Sequence, residues 1–276
     1  MKQQNNITKY ILELQNPKTD KLAVISDALC YLSYDELIVF NKRVPRLFHS
    51  LVKLNYLKRP SYGKVGNVGY TFGKGDDVCE YIGTLAYIFE QHRESLNLFV
   101  ELFYEYEKSL LSGKYEDCKK ILNKINTQVS YSYWGTDSEI KLCRMFEHLT
   151  QATKVYNKLF KENRRLSSLC FWSFKTSAVD VPFDTDVNHL LRRMQDQYAK
   201  EVFISHCFPY KDISIGRSVS SDSSFSIIDL YCGFIYSLDI FPKEIIHDAR
   251  FLRYLKIIAN TINDYRLKKT IMFDNQ

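Results

Sequence analysis

The stretch SYDELIVFNKRVPRLFHSLVKLNYLKRPSYGKVGNVGYTFGKG, Ser33 to Gly75, contains the decisive choice in this chain: a helix end running into an idle glycine loop, or a basic helix followed by a hairpin. Ser33 stands three residues before Glu36, the spacing of a capping box, and predicts a short helix from Tyr34 to Phe40. Pro45 suits the first turn of a following helix, because its missing N–H and fixed φ cost nothing there. In that helix Leu47, Leu51 and Leu54 form one stripe, while Arg46, His49, Ser50 and Lys53 fall on another face. Asn55 can turn the chain in a left-handed C-cap. Tyr56–Arg59 and Val68–Phe72 then read as two short strands around a glycine-rich turn.

Charge sets this segment apart. From Leu37 to Gly75 there are eight Lys or Arg (Lys42, Arg43, Arg46, Lys53, Lys58, Arg59, Lys64, Lys74) and no Asp or Glu. The whole chain carries 38 Lys and Arg against 32 Asp and Glu; without those eight, 30 bases face 32 acids, so the net charge of +6 belongs to one short segment. Surface charge that serves solubility mixes signs, whereas a single-sign field favours polyanions.

Working outward, helices are expected over Ile7–Leu14 and Lys21–Leu32 on one side. Beyond Gly75 the text turns helical and aromatic, with helices expected at Val78–Gln91 and Leu96–Leu111. Gly113 breaks the chain, and Tyr115, Cys118, Leu122 and Ile125 give the next helix its buried stripe. Further helices are expected at Ser138–Glu147, Thr150–Asn163, Val187–Val202, Ile227–Leu238 and Glu244–Leu267. The expected fold is mainly α, with a basic module over residues 1–75 and an α-helical domain of stacked helical hairpins over 76–276. The aromatic wealth of the second part, Trp134 and Trp172 included, suits the packing of paired helices.

Ser33 to Gly73 resembles the winged-helix family of DNA-binding domains. The likeness rests on Leu51-Val-Lys-Leu-Asn55-Tyr56-Leu57-Lys58-Arg59, which looks like the end of a recognition helix and the start of a wing strand, and on Tyr70-Thr71 with Gly73, which looks like the close of the second strand. The resemblance implies that Pro45–Asn55 takes the place of the recognition helix and Gly63–Asn67 that of the wing tip. Leu111–Ile125, with its Gly-Lys-Tyr-Glu turn, is similar to a tetratricopeptide repeat, and a shift of 34 residues lands on Ala152, Tyr156 and Leu159 in a similar order.

The function expected is nucleic-acid binding, DNA ahead of RNA. Lys42, Arg43, Lys58, Arg59 and Lys64 would neutralise phosphates, and Arg46, His49, Ser50 and Lys53 would face base edges. The helical domain would provide a protein partner surface or self-association. The alternative is a helical interaction scaffold with no nucleic-acid role.

No catalytic motif such as G-x-S-x-G or H-E-x-x-H occurs, so no enzyme and no cofactor are expected. The glycine cluster fits neither the P-loop nor the dinucleotide fingerprint. Asp180, Asp184 and Asp186 are better explained by helix capping than by a metal, and the adjacent His206 and Cys207 point to opposite faces of a strand. Seven scattered cysteines with no C-x-x-C pair suit buried thiols in a reducing compartment. The first residues lack a signal-peptide pattern, and the longest apolar run, Phe225–Phe241, carries Asp229 and Asp239, so a cytoplasmic chain without a membrane span is expected.

Overall fold

The computed structural model describes residues 2–47, 78–147, 149–162, 226–238, 241 and 243–273. Those residues are mainly α-helical, and no strand occurs among them. The two expected wing strands, the boundary near Gly75 and the Val187–Val202 helix lie outside the described residues.

Helices α1 (Lys2–Gln15), α2 (Lys21–Tyr31) and α3 (Tyr34–Leu47) pack together at the N-terminal side. Ser33 starts α3 as expected: its N–H donates to Glu36 Oε2 (2.9 Å), and the Glu36 N–H points back at Ser33 Oγ (3.4 Å). The expected stop at Phe40 and fresh start at Pro45 are corrected, because α3 runs unbroken through both positions. Leu37, Phe40 and Val44, at helical spacing, are all buried. Each added turn therefore gains apolar burial, and Asn41 to Arg43 supplies nothing that would end a helix.

After the undescribed stretch come α4 (Val78–Gln91) and α5 (Arg93–Leu111). Gly113, at φ +68°, reverses the chain into α6 (Tyr115–Lys124), where Cys118 and Leu122 are buried as the sequence pattern requires. A five-residue π-helical turn, Ile125–Val129, leads to α7 (Tyr133–Phe146) and α8 (Leu149–Glu162). Consecutive helices α5 to α8 pack each on the next. The C-terminal part contains α9 (Ile227–Ser237), α10 (Lys243–Ile246), α11 (Ala249–Thr261) and α12 (Tyr265–Phe273). The single helix expected over Glu244–Leu267 is thus corrected to three pieces. Asp248 and Asp264 each cap the helix that follows, and a cap fixes a helix start.

Among the described helices the most extensive pair is α4 with α11, at sequence positions far apart. Gly83 makes the approach possible, since a Cβ there would lie 2.9 Å from the Tyr254 ring. Helix α9 crosses α5 and α7, and its Tyr231 ring meets Phe89 of α4 (5.6 Å, edge-on) and Phe99 of α5 (6.3 Å, edge-on). Trp134 closes the same cluster against Phe99, Phe103 and Tyr106, which places it in the core. One continuous set of buried apolar side chains runs from α1 through α12. Cys79, Cys118, Cys143 and Cys232 are buried and form no disulfide. Among the described residues no helix is long and apolar enough to cross a membrane.

Candidate nucleic-acid interface

Helix α3 divides its circumference between packing and charge. Its buried stripe faces α1 and α4, where Tyr34 donates to Glu90 (2.8 Å) and Asn41 Nδ2 to Gln91 Oε1 (3.3 Å). Lys42 and Arg43 lie exposed, with no ion-pair partner among the described residues. Arg46 belongs to the same helix one turn on, in register with both. His49, Ser50, Lys53, Lys58, Arg59 and Lys64 lie outside the described residues.

The acids at the start of α3 are engaged elsewhere. Asp35 pairs with Arg253 of α11 (2.8 Å), whose guanidinium also lies over the Tyr34 and Tyr254 rings (5.9 and 5.7 Å). Glu36 is bound into the Ser33 cap. The Asp35 pair is largely exposed and worth at most about 1 kcal/mol, so its consequence is positional: the acidic first turn of α3 is held toward α11.

Two buried carboxylates escaped the sequence reading as candidate sites. Asp264 is fully buried and saturated: Tyr104 donates to Oδ1 (2.7 Å), Tyr231 to Oδ2 (2.7 Å), and Arg266 grips both oxygens through Nε and Nη2 (3.1 and 2.7 Å). Burial alone would raise its carboxyl, but the hydrogen bonds from Arg266, Tyr231 and Tyr104 outweigh burial and hold it below the ordinary carboxylate value. Burial, with the Asp264 charge beside them, raises both phenols.

Asp229 in α9 accepts the backbone N–H groups of Tyr133 and Trp134 (both 2.9 Å), the first two residues of α7. Burial nevertheless pushes its carboxyl up to about 7, against the pull of those two bonds. Beside it Ser226 and Ser130 share a hydroxyl hydrogen bond of 3.0 Å. Each carboxylate oxygen in these two clusters accepts at least one hydrogen bond from protein, which suits joints between helices.

A third group joins Tyr115 of α6 to Glu147, with Lys119 at 3.4 Å from the same carboxylate oxygen. Cys143 lies near it, but burial raises its thiol, as does the Glu147 charge, so it is a poor nucleophile. Among the described residues no three His, Cys, Asp or Glu side chains are grouped to hold a metal ion. Asp180, Asp184, Asp186, His206 and Cys207 lie outside the described residues. Comparison with known families, with curated proteins and with solved structures finds no match to this chain.

Proposed function

We propose that this protein binds nucleic acid, DNA in preference to RNA, through the basic segment that opens on the exposed face of α3 and runs to Gly75. The observation that carries the proposal is eight Lys or Arg without one Asp or Glu from Leu37 to Gly75. Exposure of Lys42 and Arg43, and the turning of Asp35 toward Arg253, support it. In this proposal Lys42, Arg43, Lys58, Arg59 and Lys64 neutralise phosphates, while Arg46, His49, Ser50 and Lys53 supply contacts to bases. The winged-helix resemblance supplies the expected hairpin at Tyr56–Phe72, beyond the end of α3 at Leu47. The tetratricopeptide-like helical hairpins would serve a protein partner or self-association.

The test is a salt titration of binding to mixed-sequence duplex and single-stranded DNA and RNA. Affinity should fall steeply with salt, and K42Q/R43Q should lower the slope of log K against log salt by about 1.8 on duplex, at about 0.9 for each phosphate no longer neutralised. Absence of binding to any of these polymers at low salt would leave a helical protein-interaction scaffold as the function. That second reading draws on the packed side of α3, which joins α1 and α4 in the core.

A further inference from the structure

A groove of about 390 Å3 opens where the end of α5 meets α6. Four lysines line it, Lys108 from α5, Lys114 just before α6, and Lys120 and Lys124 on α6, against two carboxylates, Glu105 and Asp117. Asp117 already faces Lys120 (3.5 Å), and the other first-turn acid, Glu116, lies 4.0 Å from Lys119 outside the groove. Lys108, Lys114 and Lys124 have no ion-pair partner among the described residues. No side chain caps the first turn of α6, so the helix adds its positive end at Lys114.

We propose that this groove is a second, sequence-independent contact for the phosphate backbone of a nucleic-acid strand. It extends the nucleic-acid reading above but rests on different residues. Shape argues for a polymer over a compact anion. From Lys114 to Lys124 the ammonium-bearing positions are strung over ten residues, about 15 Å at 1.5 Å rise each, a row that meets several phosphates in turn and does not converge on one. Chemistry argues for phosphate over base. The lining offers ammonium point charges and serine hydroxyls, with no aromatic ring for stacking and no amide or guanidinium fork for a base edge. The two carboxylates keep the attraction modest, as suits a contact that orients a strand and does not read it.

The test uses the full chain and a labelled homopolymeric single strand. K114Q/K124Q removes two exposed charges, one before α6 and one at its end, and leaves its buried stripe intact; circular dichroism and thermal melting should match the parent. The salt slope should fall by about 1.4, at about 0.7 per single-strand phosphate, and D117N should strengthen binding. Slopes for K114Q/K124Q equal to those of the parent would overturn the proposal. So would loss of binding to inorganic polyphosphate with nucleic-acid binding unchanged, since the groove would then take free polyphosphate. The K42Q/R43Q variant separates the two sites. Binding that depends on Lys42 and Arg43 but not on Lys114 and Lys124 sinks this proposal alone, and the reverse result sinks the α3 interface alone.

Discussion

Asp229 and His92 titrate in opposite senses over one pH range. Burial raises the Asp229 carboxyl from 3.8 to about 7, so between those values the folded protein keeps a proton that the unfolded chain has lost, and stability falls as pH rises. Burial lowers the His92 imidazole from 6.5 to about 4, so there the unfolded chain holds the extra proton, and stability rises with pH. Between pH 4 and 6.5 the two slopes oppose each other. Urea midpoints should therefore vary little with pH for the parent, climb with pH in D229N, and drop with pH in H92Q; parallel profiles for all three would refute the opposition. Asp264 acts below this range, because its depressed carboxyl contributes stability that is lost as pH falls through its folded value. Asp264→Ala would strand two phenols and the Arg266 guanidinium, at a cost of about 3–5 kcal/mol, whereas Tyr231→Phe removes one donor of several and should cost about 1 kcal/mol by denaturant unfolding.

Helix pairing depends on where chains approach. At Gly83 an alanine would gain about 0.5–1 kcal/mol of helix propensity, but its Cβ would press on the Tyr254 ring, itself boxed by Tyr34 at 5.7 Å. Overpacking of about 1–3 kcal/mol wins, so Gly83→Ala should lower Tm. Gly113→Ala meets nothing within 4 Å and should show only the backbone cost of φ +68°, about 1 kcal/mol. The helices were legible where apolar period and local caps agree: α4 matches its expected bounds, and Gly113 breaks the chain as read. Helix α7 begins at Tyr133, five residues before the expected Ser138: Ser132 caps it locally, its Oγ accepting the Gly135 N–H (3.0 Å), and Asp229, 96 residues away, accepts the Tyr133 N–H, which no local pattern announces. The breaks at Asp248 and Asp264 had a local sign that periodicity overrode. Both are Asp-x-Arg, and in both the Asp accepts the Arg backbone N–H (2.8 and 2.9 Å) and then its guanidinium.

Across the whole molecule, α3 belongs to two surfaces. Its apolar stripe is part of the core that includes α4, while Lys42 and Arg43 begin the basic segment. Composition alone made the charge legible, since an acid-free run shows in a single line of text; the shared core did not show, because it depends on packing between residues far apart in the chain. Those distances govern how the protein is made. Tyr104 is synthesised 160 residues ahead of Asp264, an interval of about 8–30 s at typical ribosomal speed. For most of that interval the apolar face of α4 lacks α11, and until its end Tyr104 lacks its acceptor. The growing chain thus carries an unfinished greasy surface that a ribosome-bound chaperone can occupy, and closure of the core waits on the arrival of α11 and α12.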